Sequence, residues 1–150
     1  MEPDRFLLRC AVHLLLVQDG KLLVEKRINR EYGNNEFDVI ASHILGGENA
    51  IDAIVRTAKT EVNIDIEKDN LKIIQVQHQK CADYEYINYF FIADSYSGEL
   101  KNNDEEYCNG IEWVDFKYPV NNLMPYINDA IKNYCENPEN RFTFFGWDWS

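Results

Sequence analysis

Residues 42–64 read SHILGGENAIDAIVRTAKTEVNI, and they decide how the rest of the chain is organised. A glycine pair, Gly46-Gly47, leads into a segment whose start and stop both follow from physical chemistry. Asn49 suits the N-cap. Asp52, three residues on, places a carboxylate near the positive helix end, where it can reach back to the cap amide. Ile51, Ile54, Val55, Ala58 and Val62 recur at helical spacing as one apolar stripe facing the core. Asn63 suits the left-handed position after the last turn, which asparagine tolerates better than most residues carrying a side chain. The spacing predicts a helix over residues 50–62.

Upstream, an apolar run over residues 6–17 ends at Gln18-Asp19-Gly20, and KLLVEKR follows at once. Asp-Gly between two apolar runs signals a tight hairpin, because a primed turn needs positive φ at its central residues. A polar loop, INREYGNNE, then precedes a short strand, FDVIA. Downstream, LKIIQVQHQK and EYINYFFIAD are joined by CADY and alternate enough to predict a second antiparallel pair. A polar stretch leads to the strand IEWVD and a helix around NNLMPYINDAIKNYC, in which Pro125 fits only near the first turn. The tail, RFTFFGWDWS over residues 141–150, is too aromatic to stay loose in water and is expected to dock on the domain surface. With no repeat, low-complexity tract or linker, residues 1–150 read as one mixed α/β domain.

Composition bounds the function. At 150 residues, 45% hydrophobic and 13% aromatic, the chain can bury a sizeable core without disulfide or metal support. A formal net charge of -11 argues against broad gripping of nucleic-acid phosphates, which draws on clustered Lys and Arg. A small anionic ligand remains compatible with it, held in one local basic pocket. Cys10, Cys81, Cys108 and Cys135 are widely spaced and form no CxxC pair, as expected of reduced thiols in a cytoplasmic protein. Asp4, Arg5 and Arg9 interrupt the first segment, whose apolar run is too short to span a bilayer, so no membrane role is expected.

The spacing within residues 42–64 resembles the Nudix box, GX5EX7REUXEEXGU with U a bulky aliphatic residue, and the order of elements carries the resemblance to Nudix (MutT-like) hydrolases along nearly the whole chain. Glu48, Arg56, Glu61 and Ile64 match the box. Ser42 falls on its first glycine, Thr57 on the glutamate after the arginine, Thr60 on the first of the paired glutamates, Ala58 on the aliphatic position and Asn63 on the second glycine. The box is therefore degenerate. The resemblance implies an α/β/α sandwich with a mixed sheet between helices, and hydrolysis of a nucleoside diphosphate linked to another moiety.

The family's reaction uses Mg²⁺ or Mn²⁺ held by box glutamates, since attack on a pyrophosphate calls for cations that neutralise its oxygens and position or acidify water. Positions 57, 60 and 61 share a helix face and could aim three carboxylates at one metal cluster, yet only Glu61 supplies one. Thr57 and Thr60 remove two formal negative charges, so metal binding is expected to weaken. By resemblance, Glu61 is the main metal ligand, Glu106 a second ligand or base with Glu105 and Asp104 as alternatives, and Glu48 a further ligand or a brace for the loop. Arg56 would orient a carboxylate, Arg27 would meet substrate phosphates, and Tyr32 would stack on a base. His43 has no obvious partner, and His13 and His78 read as structural.

Two functions follow as expectations. One is a hydrolase of weak or altered activity on a nucleotide-like substrate. The other is a catalytically inactive Nudix fold that binds a nucleotide or a protein. A homodimer is compatible with the resemblance and the aromatic tail.

Overall fold

The computed structural model describes residues 4–148. Its opening hairpin joins β1 (Arg9–Gln18) to β2 (Lys21–Arg27). Asp19 at φ 52° and Gly20 at φ 75° supply the two left-handed residues that let the turn follow the strands' twist. The run FDVIA is split between β3 (Phe37–Asp38), which pairs with β2, and β4 (Ile40–His43), which pairs with β1. α1 (Ala50–Val62) follows, then a single 3-10 turn, Lys68–Asn70. β5 (Lys72–Lys80) and β6 (Glu85–Ala93) are antiparallel, and β7 (Cys108–Asp115) returns to β2. α2 (Pro125–Glu136) has its proline in the first turn, where no intrahelical N–H is required, and β8 (Phe142–Phe145) ends the order.

Strand order among the described residues is β3-β2-β1-β6-β5-β8, with β4 also against β1 and β7 against β2. β1 with β6 and β5 with β8 are parallel pairs, so the sheet is mixed. β1 is buried on both faces, as its unbroken apolar run demands. Leu14 and Leu16 pack with Ile54, Ala58 and Val62 of α1, whereas Leu15 packs with Ile127, Ala130 and Ile131 of α2. Period-two alternation along one strand thus places a helix layer on each side, the α/β/α sandwich expected.

α1 keeps the predicted limits, but two details differ. Asn49 Oδ1 accepts from the Asp52 amide as a cap should, while the Asp52 carboxylate turns outward to Lys68 Nζ at 2.7 Å instead of reaching back. The buried face is also rotated: Ile51 is 40% exposed, and Ala53 and Thr57 are buried in the stripe. α1 packs on β4 and β1 through Ala53, Ile54, Thr57, Ala58 and Val62, and Ile51 falls at the rim. Asn63 adopts φ 64°, and its amide donates to Lys59 O, closing the helix in a left-handed cap.

Candidate functional site

The two box threonines do not face an open site with free hydroxyls. Thr57 Oγ1 donates to Ala53 O at 2.7 Å, and Thr60 Oγ1 donates to Arg56 O, each one turn back along the helix. With its proton committed to a carbonyl, Thr57 Oγ1 accepts from Ser42 Oγ on β4. The departures at positions 42 and 57 therefore meet each other. Thr57 is 1% exposed, so this pair seals the seam between α1 and β4.

Glu61 lies beside that seam, its Oε1 accepting from the Ala41 amide at 3.3 Å. Across from it stands Glu25 of β2, only 6% exposed and lining the same small cavity. Burial, with Asp38 and Asp104 adding negative charge nearby, pushes Glu61 up to about 8 despite the bond from the Ala41 amide. Burial and the neighbouring Glu61 and Asp38 raise Glu25 well above the ordinary carboxylate range. Glu25, Asp38, Glu61 and Asp104 line one small cavity of about 20 Å³.

Glu25 escaped the sequence reading, although a signal was present. In KLLVEKR it shares a strand face with Leu23, which packs into the α1-side core, so alternation points its carboxyl inward. Asp104, an alternative in sequence, is the loop acid that lines both this cavity and a crevice formed by Ser42, Arg56, Thr57, Thr60, Glu61 and Asn103. Its amide is held by Asn102 Oδ1 and its carbonyl accepts from the Tyr107 and Cys108 amides, a tight turn that aims the side chain inward. Glu105 and Glu106 are exposed, and Glu106 is engaged through its main-chain oxygen, which accepts from Asn29 Nδ2.

Arg56 and Glu48 engage one another. Arg56 Nη2 and Nε donate to the two carboxylate oxygens of Glu48 at 2.7 and 3.1 Å, the Leu45 amide donates to Oε1, and Arg56 Nη2 also reaches His43 O. Those bonds hold Glu48 below its usual range and raise Arg56. The fork ties the glycine loop to the helix. Among the described residues it makes no hydrogen bond to Glu61.

The larger feature is a pocket of about 540 Å³ on the opposite side of Glu61. Arg27 and Tyr32 line it with Tyr84, Tyr86, Tyr126 and Phe145. Arg27 Nη1 donates to Asp38 at 2.7 Å and Nη2 to Tyr32 O at 3.3 Å, while its guanidinium lies 5.2 Å from the Tyr32 ring centroid. His43 stacks on Tyr86 and its Nε2 lies 2.9 Å from that hydroxyl. Beneath them, buried His13 has its Nδ1 beside Tyr89 O at 3.3 Å, which requires the proton on Nδ1 and leaves Nε2 to accept from Tyr126 OH at 2.8 Å. Burial holds His13 down to about 4, so it supports Tyr126 as a neutral ring.

Hard carboxylate oxygens suit Mg²⁺ or Mn²⁺ chemically, but this donor set does not fit a metal cluster. Thr57 and Thr60 contribute no charge, and Glu48 is committed to Arg56. Among the described residues, no three His, Cys, Asp or Glu side chains converge closely enough to hold an ion. No described helix is long and apolar enough to cross a membrane.

Comparison with solved structures finds the same fold at low identity. A MutT NUDIX hydrolase of Burkholderia pseudomallei superimposes with a TM-score of 0.75 at 18% identity, covering 83% of this chain and 95% of its own. A NUDIX hydrolase of Nitrosomonas europaea gives 0.74 at 18%, covering 90% and 92%. The MutT protein of Methanosarcina mazei Go1 gives 0.74 at 14%, covering 89% and 96%. No curated protein sequence matches significantly. The sequence pattern of the NUDIX domain matches residues 7–131, most of the chain, which therefore belongs to the Nudix family.

Proposed function

We propose that this Nudix domain binds a small nucleotide-like ligand in the aromatic pocket and that its hydrolysis of a nucleoside diphosphate derivative is very slow or lost. The observation that carries this reading is the fate of the box acids. Both threonine hydroxyls are spent on helix carbonyls, and burial beside Asp38 and Asp104 pushes Glu61, the acid left on that helix face, up to about 8. The pocket, by contrast, keeps what a nucleotide needs: tyrosine faces for stacking and the anchored cation Arg27 at the end nearest Glu61.

A weak hydrolase dependent on Mg²⁺ or Mn²⁺ is the second reading, favoured by Glu61 and Asp104 lining one crevice. One experiment separates the two. Wild type, Glu61→Ala and Thr57→Glu/Thr60→Glu are assayed for nucleotide binding by calorimetry and for diphosphate hydrolysis with each metal. Binding by wild type without turnover, and turnover only in the double variant, is the result expected. Turnover by wild type that Glu61→Ala abolishes would establish the second reading instead.

A further inference from the structure

Two side-chain amides, Gln79 and Asn88, line the aromatic pocket, and their polarity is set by one buried carbonyl. Gln77 is fully buried, and its amide lies 2.9 Å from Tyr126 O at the start of α2. A carbonyl only accepts, so Gln77 must present Nε2 there and keep Oε1 for its other neighbour. That neighbour is Asn88 of β6, 1% exposed, whose Nδ2 donates to Gln77 Oε1 at 3.0 Å. The second N–H of the same Nδ2 donates to Gln79 Oε1 at 2.8 Å.

Each amide orientation is thus dictated by the one before it. Gln77 pairs with Asn88 directly and Gln79 with Tyr86 in the β5–β6 register, so Gln77, Gln79 and Asn88 point to one face of the sheet. Two atoms remain after the chain of bonds is complete: the Asn88 oxygen, an acceptor, and the Gln79 nitrogen, a donor. Neither has a protein partner among the described residues, and both residues line the pocket. Tyr86, Tyr126 and Phe145 line the same pocket.

We infer that Asn88 and Gln79 are specificity-determining residues that read the hydrogen-bonding edge of a nucleobase, the Asn88 oxygen accepting an N–H of the base and the Gln79 nitrogen donating to its adjacent acceptor. This deepens the nucleotide-binding reading and rests on it. A base presents an N–H beside a ring nitrogen or carbonyl oxygen and has π faces that aromatic side chains cover. A phosphate or sugar alone offers no such rigid donor–acceptor pair with stacking surface. The buried carbonyl of Tyr126 makes the arrangement selective, because neither amide can turn over without leaving two oxygens or two N–H groups facing each other.

The test compares base-containing with base-less probes in calorimetric titrations. ADP, GDP, UDP and CDP are each measured against ribose 5-phosphate and inorganic pyrophosphate, for wild type, Gln79→Glu and Asn88→Leu. Thermal melts verify that each variant is folded, and Gln79→Met serves if Gln79→Glu does not fold. Wild type is expected to bind at least one nucleoside diphosphate about tenfold or more tighter than either base-less probe, and the variants to fall to the base-less level. Equal affinity for base-containing and base-less probes would overturn the inference while leaving the pocket as a phosphate or sugar site. Unchanged base selectivity in folded variants would overturn it likewise. Absence of binding by every nucleotide would overturn both the inference and the nucleotide-binding reading beneath it.

Discussion

Ser42 Oγ on β4 donates to Thr57 Oγ1 on α1, joining the positions where the Nudix box has a glycine and a glutamate. The two departures form one unit, because the extra side chain at position 42 occupies the space beside the smaller one at 57. Restoring Thr57→Glu alone should bury a carboxylate against Ser42 and destabilise the fold by about 2 kcal/mol. Ser42→Gly/Thr57→Glu should recover at least half of that loss. A double-mutant cycle from urea denaturation checks the coupling, and additive effects would show the pair to be independent.

Stability should depend on pH in two opposite windows. Glu25 and Glu61 are raised in the folded protein, so their neutral pair contributes fully below the unfolded carboxylate value and is lost as pH rises toward about 8. His13 is lowered to about 4, so its contribution is complete above its unfolded value and is lost as pH falls from about 6.5 to 4. Between about pH 6.5 and 8 only the carboxyl pair acts, with a slope on the order of 1.4 kcal/mol per pH unit for one retained proton. Melting temperatures in metal-free buffer should fall across that window for wild type and much less for Glu25→Gln. His13→Gln should flatten the acid side instead.

The Arg56–Glu48 fork predicts that a charge-conserving change is not conservative. Lysine cannot reproduce the paired bonds to Glu48 Oε1 and Oε2 while also reaching His43 O. Arg56→Lys should cost about 1–2 kcal/mol in urea denaturation. Faster amide exchange confined to the glycine loop and first turn of α1 would locate the damage. Uniform loss of protection would instead mean that the fork supports the whole sandwich.

The caps of α1 give a paired prediction with different magnitudes. Asn49→Ala removes the acceptor for the Asp52 amide and should cost about 1 kcal/mol. Asn63→Ala should cost a similar ~1 kcal/mol, since its backbone sits at φ 64°. Asn63→Gly relieves that conformation but loses the bond from Asn63 Nδ2 to Glu99 O, so it should be close to neutral. Chemical denaturation of the three variants orders them directly.

How much could be read from residues alone varied with the range of the interaction. Helix limits and hairpin turn depend on neighbours within a few positions, and Asn49, Asn63 and Asp19-Gly20 are found where local chemistry puts them. The rotation of α1 was not legible: which of Ile51 or Ala53 is buried depends on how close the helix comes to β4 and β1. Nor was the role of Asp52, because Lys68 lies beyond the helix and competes for its carboxylate. The pocket's amide row was invisible for the same reason. Gln77 and Gln79 come from β5 and Asn88 from β6, and their polarity is set by a carbonyl on α2.

The sequence by itself determined the order of elements, the helix bounded by its asparagines and the loss of carboxylates at Thr57 and Thr60, since these are properties of residues and their spacing. Tertiary structure decided what replaces them. It turns both threonine hydroxyls into the helix, sets Glu25 against Glu61 and aims Asp104 rather than Glu106 inward. The physical reason is that burial and a neighbouring charge act through space, and both arise only when β2, β4, α1 and the loop before β7 are packed together.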